Sequence, residues 1–196
     1  VVGDLAKGAL TFGTTVATNA LLEGRRVRTL LIVTAGFADL PWIRDMTRPA
    51  LFDPTERWPA PLVDEVVEVA GRLGVDGVQR EPLGELPAVH TPPEAVAIVL
   101  LHGPTHPAWE EELARRVRAR WPQAHVALGH QVAPQRGYLA RLETTLVDAA
   151  ITPILRRAMA RDRIPPGATA IRSDGSLAPA DALTAPDAVL SGPAGG

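Results

Sequence analysis

The chain has no cysteine and almost no lysine, and both absences exclude particular kinds of site. Without thiols it forms no disulfide, carries no cysteine nucleophile and holds no cysteine-ligated zinc or iron–sulfur centre. Its single lysine, Lys7, does not follow the glycine-rich run of a Walker A loop, so that phosphate-binding motif is excluded.

Charge and hydropathy offer equally little support for nucleic-acid or membrane partners. The 20 basic and 22 acidic residues leave a net charge of −2, so no basic field favours nucleic acid. No apolar run approaches the roughly 20 residues of a membrane-spanning helix. With 46% hydrophobic and 21% charged residues, the composition is that of a soluble globular domain, not of a disordered or fibrous chain. We therefore expect a cytoplasmic protein that binds neither nucleic acid nor membrane.

The first third of the chain predicts a βαβ unit. Residues 8–12 form a short apolar strand, residues 16–23 a helix, and residues 27–34 a continuously apolar strand of the type buried on both faces. Gly24 suits the position after the helix. A strand, a helix and a second strand in this order predict parallel pairing with a right-handed crossover.

Alternation of strands and helices resumes after an irregular, proline-rich excursion at about 36–93. The pattern predicts strands at 66–70, 95–101, 125–129 and 168–173, and helices at 108–121, 138–163 and 179–184. Pro153 is expected to kink or break the long helix. The sequence thus predicts an α/β domain with a largely parallel sheet and flanking helices.

Two polar turns at strand ends are candidate ligand sites. Gly13, Thr14 and Thr15 offer backbone N–H groups and hydroxyls to a phosphate or carboxylate, or they simply cap the following helix. The segment 173–176, which contains Ser173, Asp174 and Gly175, follows the last strand. It is a second candidate, because ligands of parallel sheets gather at the carboxyl ends of strands, or it is an ordinary Asp-Gly turn.

Other suggestive residues have plainer interpretations. The glycine-rich end, with Ser191, Gly192 and Gly195, is suited to cradling phosphate or to acting as a linker. A metal site at His102 and His106 is disfavoured, because the glycine and proline between them break any helix. The carboxylates at 110–112 suit a helix start electrostatically, and the tryptophans at 42 and 58 either line a pocket or pack the excursion.

Several segments, in order and at matching spacing, resemble the hydantoinase A/5-oxoprolinase family of ATP-dependent proteins. Residues 12–23, FGTTVATNALLE, are close to the family's HGTTVATNALLE. Further similar segments are RTLLIVT (28–34), GFAD (36–39), LFD (51–53), PLV (61–63), EAVAIVLLH (94–102), TTLVDA (144–149), SDGSL (173–177) and LSGPAGG (190–196). Relatives of this family include subunits of acetone and acetophenone carboxylases.

Four positions depart from the family pattern. Phe12 stands where the family has histidine before GTT, and Asp148 stands where it has asparagine. Asp174 and Ser176 replace the asparagine and second glycine of SNGGL. These departures motivate the alternative that the protein is a degenerate relative with a structural or assembly role.

The resemblance implies an actin-like, ribonuclease-H-like ATPase architecture. Family members hold the phosphates of ATP, with Mg²⁺, on two Asp-Gly-Gly-Thr-type hairpins, and the 196 residues contain neither. The chain is therefore expected to be the stretch between the two phosphate loops. In this interpretation residues 1–190 form a partial α/β domain and residues 191–196 begin the linker to a second ATPase half.

The resemblance also implies a reaction and partners. The parent protein is expected to hydrolyse a cyclic amide of the hydantoin or 5-oxoproline type after phosphorylating it, beside a second subunit or domain that completes hydrolysis. Gly13, Thr14, Thr15 and Asn19 are expected to form part of the substrate pocket, and the segment 191–195 to lie near the nucleotide. Alternatives are the structural role and a carboxylase-type subunit acting on a ketone. An unprotected edge at strand 8–12 further predicts a homodimer.

The missing phosphate loops generate the first prediction. The purified 196-residue chain is expected to bind no ATP or Mg²⁺ tightly and to release no phosphate from ATP, because it lacks the phosphate clamp that phosphoryl transfer needs. A phosphate-release assay at saturating ATP and Mg²⁺ checks this. Turnover above that of a heat-denatured sample contradicts it.

Overall fold

A computed structural model describes residues 10–47, 49–50, 52–53, 55–134 and 137–189 of the chain. The chain divides into a terminal unit, Val1–Arg26 with Ile151–Gly196, and a central unit, Val27–Ala150. In chain order the elements are β1 (Thr11–Phe12), α1 (Val16–Leu22), β2 (Thr29–Thr34), α2 (Leu40–Ile43), β3 (Glu65–Val69), β4 (Arg72–Leu73), β5 (Gln79–Glu81), β6 (Ala95–Val99), α3 (Ala108–Arg120), β7 (His125–Leu128), α4 (Gly129–Val132), α5 (Tyr138–Arg161), β8 (Thr169–Ile171), β9 (Leu177–Pro179), a 3₁₀ turn (Ala180–Ala182) and α6 (Ala185–Ala188).

The central unit is built on a four-stranded parallel sheet in the order β3-β2-β6-β7. Every residue of β2 and β6 is buried. This agrees with their continuous apolar sequences, which predicted strands covered on both faces. The register aligns Leu30 with Val96 and Ala95 with His125, so the four strands end at one shared edge. That edge is where the site described below lies.

Helix α3 covers one face of this sheet through its buried residues Leu113, Ala114 and Val117. These side chains join a continuous hydrophobic core with Leu100, just beyond β6, and with side chains of all four strands: Leu30, Ile32, Val67, Val69, Val96, Ile98 and Leu128. The first half of α5 contacts both ends of the strands. The Tyr138 hydroxyl donates to the Val99 carbonyl oxygen, and Asp148 Oδ2 lies 3.3 Å from His125 Nε2.

Asp148, one of the departures from the family pattern, is therefore a buried partner of a histidine at the start of β7. Its side chain is 4% exposed and the His125 side chain is 15% exposed. The acidic residue at this position accordingly has a local role in packing α5 on the sheet.

The terminal unit contains a three-stranded sheet in the order β1-β8-β9. Strand β1 is parallel to β8, with Phe12 aligned to Ala170, and β9 folds back antiparallel to β8 across the Asp174-Gly175 turn. Gly175 has φ +80°, which glycine adopts readily. Within the described residues β1 pairs with one strand, β8. The first two residues of the predicted strand 8–12 lie outside the described residues.

The predicted βαβ unit is wrong: β1 pairs with β8 in the sheet of the terminal unit, whereas β2 pairs with β3 and β6 in the sheet of the central unit. Closeness along the chain did not decide this pairing, because the partner of β1 is a strand more than 150 residues later.

Most predicted strands and helices nevertheless appear within two residues of their expected bounds, and the remaining differences are local. Helix α5 continues through Pro153 as one helix, so of the predicted kink or break, the break is wrong. The predicted helix at 179–184 is replaced by the end of β9, the 3₁₀ turn and α6. The excursion contains α2 and a small antiparallel pair, β4 and β5, that period-2 patterning did not indicate. None of the helices in the described part of the chain is both long and apolar enough to cross a bilayer.

Substitution of Ile98 tests how much the hydrophobic core of the parallel sheet contributes to stability. Ile98 is fully buried in the middle of β6 within the central hydrophobic core, so Ile98→Ala removes apolar contacts and leaves a cavity. The expected loss is about 2–5 kcal/mol of unfolding free energy. Urea denaturation followed by circular dichroism measures it.

Val75→Ala is the control, because Val75 is 81% exposed. A loss for Ile98→Ala no larger than that for Val75→Ala contradicts the assigned core.

Candidate functional site

The two polar turns predicted from the sequence lie at the same edge of the terminal unit's sheet. Because β1 and β8 are parallel, residues 13–15 and residues 172–175 both leave the sheet at its carboxyl edge. Thr14 Oγ1 accepts the Val16 N–H at 3.2 Å, and Asn19 Nδ2 lies 3.5 Å from Thr15 Oγ1. This edge is the place where parallel sheets bind ligands.

Ser173 and Asp174 both have hydrogen-bond partners within the terminal unit. The Ser173 N–H and Oγ both donate to the Asp187 carbonyl oxygen, at 2.5 and 2.7 Å, and so join the turn to α6. Asp174 Oδ1 accepts the Ser176 N–H at 2.9 Å. Hydrogen bonding to the side chain and backbone of Ser176 lowers the pKa of Asp174 below its ordinary value. Ser173 thus shapes the turn, while Asp174 carries an exposed negative charge.

The third predicted segment, with Ser191, Gly192 and Gly195, lies outside the described residues. Thr18 Oγ1 donates a hydrogen bond to the Val189 carbonyl oxygen, shortly before that segment begins. The contact joins α1 to the last described residue of the chain.

A second polar arrangement, which sequence reasoning did not identify, surrounds the Glu110 carboxylate of the central unit. Glu110 is 0% exposed and lies in the first turn of α3. Its Oε1 accepts the Leu100 N–H at 2.9 Å, just beyond β6. Its Oε2 accepts the His130 N–H at 2.9 Å and lies 2.7 Å from His130 Nδ1, just beyond β7. One carboxylate therefore binds the ends of two neighbouring strands.

Two glycines make room for this carboxylate. A Cβ on Gly103 would lie 2.3 Å from Glu110 Oε1, closer than any real contact, and one on Gly129 would lie 3.2 Å from the same atom. The turn after β6 also holds His102 in the left-handed region, at φ +62°. Backbone strain of this kind is concentrated at functional sites.

Tyr138 and Arg141 from α5 complete the edge. Arg141 is 5% exposed; its Nη2 donates to the Leu100 carbonyl oxygen at 3.3 Å, and its guanidinium lies over the Tyr138 ring. Burial lowers the pKa of Arg141, an effect that the Glu110 charge opposes. Burial likewise raises the pKa of Tyr138, so its hydroxyl remains a donor.

The loop after β2 reaches the same edge. Glu68 Oε1 accepts the backbone N–H groups of Gly36, Phe37 and Ala38 at 2.8, 3.1 and 3.0 Å. This fixes the loop, and the Phe37 ring lies 5.0 Å from the Tyr138 ring between centroids. The Leu101 N–H donates to Thr34 Oγ1 at 3.0 Å, which joins the ends of β2 and β6.

The sheet topology marks this edge as a ligand position. From β2 the chain continues to β3 on one side, whereas from β6 it continues to β7 on the other. The carboxyl ends of β2 and β6 therefore form a topological switch point, where open α/β sheets leave a crevice for ligands. From the sequence, Glu110 was interpreted as one of three carboxylates that suit a helix start, with no role in a site.

Metal ligation is not indicated by this geometry. Among the described residues, no three or more histidine, aspartate or glutamate side chains gather so as to hold a metal ion. His102 and His106 both lie in the turn before α3, whose backbone carries the hydrogen bond from the His106 N–H to the His102 carbonyl oxygen at 2.9 Å.

A family model for the hydantoinase/oxoprolinase N-terminal region matches residues 7–121, more than half of the chain. The chain belongs to the hydantoinase/oxoprolinase family. The match includes β1, the whole of β2, β3 and β6, and helix α3 with Glu110. The family resemblance inferred from the sequence is thereby confirmed.

Two relatives with named activities align over most of the chain. The 5-oxoprolinase 1 of Arabidopsis thaliana is 34% identical over 220 residues, covering 94% of this chain and 17% of the relative. The caprolactamase subunit alpha of Pseudomonas jessenii is 34% identical over 164 residues, covering 76% of this chain and 23% of the relative. The chain thus spans less than a quarter of the length of either relative.

Solved structures confirm the predicted α/β fold with a largely parallel sheet. The ATP-dependent caprolactamase from Pseudomonas jessenii superposes with a TM-score of 0.81 at 31% identity, covering 93% of this chain and 29% of that chain. An acetone carboxylase superposes with a TM-score of 0.78 at 20% identity, covering 96% of this chain and 30% of that chain. The second likeness shows a shared fold.

The contact between Gly103 and Glu110 gives a prediction for this edge. Gly103→Ala is expected to lower the unfolding free energy by about 1–3 kcal/mol, because the new methyl group meets the buried carboxylate. Chemical denaturation of Gly103→Ala, Glu110→Ala and the double variant measures the effect as a double-mutant cycle.

Glu110→Ala removes the atoms that the new Cβ would meet. The cost of Gly103→Ala should therefore fall well below its wild-type value in that background. Equal costs in both backgrounds contradict the proposed contact.

Proposed function

We propose that this chain is part of an ATP-dependent hydrolase of cyclic amides. The supporting observation is the alignment of 94% of the chain, at 34% identity, with a 5-oxoprolinase, together with the likeness to an ATP-dependent caprolactamase. The names of both relatives denote a lactam, a five-membered ring in one case and a seven-membered ring in the other. The shared chemistry is therefore the opening of a cyclic amide. We propose that other parts of the parent protein select the size of the ring.

Coupling to ATP suits this reaction, because an amide carbonyl is a poor electrophile. Transfer of the γ-phosphoryl group to the amide oxygen makes the carbon electrophilic and turns the oxygen into a good leaving group. The whole reaction consumes lactam, ATP and two waters and yields the open amino acid, ADP and phosphate. Phosphoryl transfer depends mainly on positioning and on stabilising charge, which Mg²⁺ helps to supply in the parent protein.

The polar edge of the terminal unit is the part of this chain best suited to phosphate or carboxylate. Backbone N–H groups and hydroxyls at Gly13, Thr14 and Thr15, with Asn19 one turn later, match the donors that such anions need. Ser191, Gly192 and Gly195 are proposed to approach the nucleotide with backbone alone. Asp174 is less suited to a phosphate than to a cation, because it carries a negative charge.

A second subunit is proposed to complete hydrolysis. The Pseudomonas relative is named as a subunit alpha, which indicates an assembly of unlike chains for that protein. We propose the same division here, with a cytoplasmic location and with β1 as an edge open to pairing with a second copy.

The test uses the longest natural protein that contains this chain, purified with and without any neighbouring subunit. ADP release is measured with 5-oxoproline, hydantoin and ε-caprolactam as separate probes, each at saturating ATP and Mg²⁺. At least one probe should raise ADP release at least tenfold above the rate without it. Acetone with bicarbonate is the control arm for the carboxylase alternative.

Stimulation by acetone and bicarbonate alone overturns the cyclic-amide assignment in favour of the carboxylase. No stimulation by any probe, with or without the neighbouring subunit, favours the structural role.

A further inference from the structure

The central unit contains two Glu–His pairs with the same short contact but very different surroundings. His130 Nδ1 lies 2.7 Å from Glu110 Oε2, and His90 Nδ1 lies 2.7 Å from Glu65 Oε1. The first pair lies at the carboxyl edge of the parallel sheet, the second at its amino edge, where Glu65 begins β3. The sheet thus offers one pair at the ligand edge and one matched pair at the opposite edge.

Burial separates the two pairs. The side chains of His130 and Glu110 are 12% and 0% exposed, whereas those of His90 and Glu65 are 94% and 21% exposed. A carboxylate taken wholly out of water needs its hydrogen bonds, and Glu110 has three of them. The His130 ring is therefore held in one orientation, while water competes for the His90 ring.

The contact with Glu110 decides which His130 nitrogen carries the proton. An ionised carboxylate only accepts hydrogen bonds, so the ring donates from Nδ1 and Nε2 is the nitrogen that can exchange a proton with a ligand. Nε2 lies 3.7 Å from the exposed Glu111 Oε1, beyond the range of a hydrogen bond. This is the arrangement in which a buried carboxylate orients an imidazole base and stabilises the imidazolium that forms.

We propose that His130 is the base that accepts the ring N–H proton of a lactam while ATP phosphorylates its carbonyl oxygen, with Glu110 as the positioning residue. The inference rests on the proposed function. In this step the lactam oxygen forms a bond to the γ-phosphorus and the bond from that phosphorus to ADP breaks. The N–H bond breaks as the C=N bond forms, and the proton moves to His130 Nε2.

Charge and chemistry favour this assignment over the other groups at the same edge. Glu110 already accepts three hydrogen bonds. The Arg141 guanidinium is positively charged and therefore does not accept a proton. Burial raises the pKa of Tyr138, so its hydroxyl stays protonated and donates to Val99. Among these groups, Nε2 of His130 is thus the proton acceptor best suited to a weakly acidic N–H group.

The test compares His130→Gln with His90→Gln in the longest natural protein that contains this chain. Glutamine keeps an N–H donor for the facing carboxylate but has no basic nitrogen. With the lactam that stimulates wild-type ADP release most, His130→Gln should lower kcat at least 100-fold, the effect expected for a general base. His90→Gln should stay within twofold of wild type. Thermal unfolding of both variants checks the fold.

His130→Ala provides a readout that a merely structural role would not change. Added imidazole should restore ADP release at least tenfold in this variant, because it supplies a base in the space that the side chain leaves. It should not affect wild type or His90→Ala.

The outcomes separate this inference from the proposed function. Lactam-stimulated ADP release by wild type together with the same kcat for His130→Gln overturns the base assignment and leaves the proposed function standing. Loss of activity in His130→Ala without rescue by imidazole assigns His130 a structural role and also overturns it. Wild type that responds to no lactam overturns the proposed function, and with it the role of His130 in that reaction.

Discussion

The buried carboxylate of Glu110 is the constraint on which the polar edge of the central unit depends. A charge fully removed from water is tolerated only when hydrogen bonds and opposite charge replace hydration. Here the N–H groups that follow β6 and β7 and the ring of His130 supply the hydrogen bonds, and Arg141 supplies a nearby positive charge. Two glycines leave the space that the carboxylate occupies.

This arrangement has consequences beyond local packing. Since one side chain from α3 binds two strand ends, the helix, the strands and the turn at His102 are fixed relative to one another. Tyr138 and Arg141 attach α5 to the same strand end, and Glu68 fixes the loop that carries Phe37 against Tyr138. The edge is therefore rigid before any ligand arrives, a condition that acid–base chemistry requires of its residues.

The terminal unit provides a second polar edge, with a different character. Its donors are backbone groups and hydroxyls at residues 13–15, and its turn at 173–175 is held to α6 by Ser173. Such groups suit anions, whereas the imidazole of the central unit suits a weakly acidic N–H group.

Sequence patterns were informative wherever a local rule decides the structure. Continuous apolar runs identified β2 and β6, because strands covered on both faces need no polar side chains. The Asp174-Gly175 pair identified the turn between β8 and β9, although β9 itself, only three residues long, has no alternation to reveal it. Pro153 does not end α5, which continues beyond it although Pro153 cannot donate the backbone hydrogen bond of that turn.

By itself the sequence determined the α/β class, the family and the polar turns at 13–15 and 173–175, but it assigned β1 and β2 to one sheet although they lie in two. Each of these depends on neighbours along the chain or on a run of matching residues. Only the tertiary structure decided that Glu110, and not Glu111 beside it, meets His130 twenty positions later, since burial depends on which way a helix faces the sheet. Likewise, only strand order revealed that the carboxyl ends of β2 and β6 form a switch point, because pairing between distant strands leaves no periodic signal in either one.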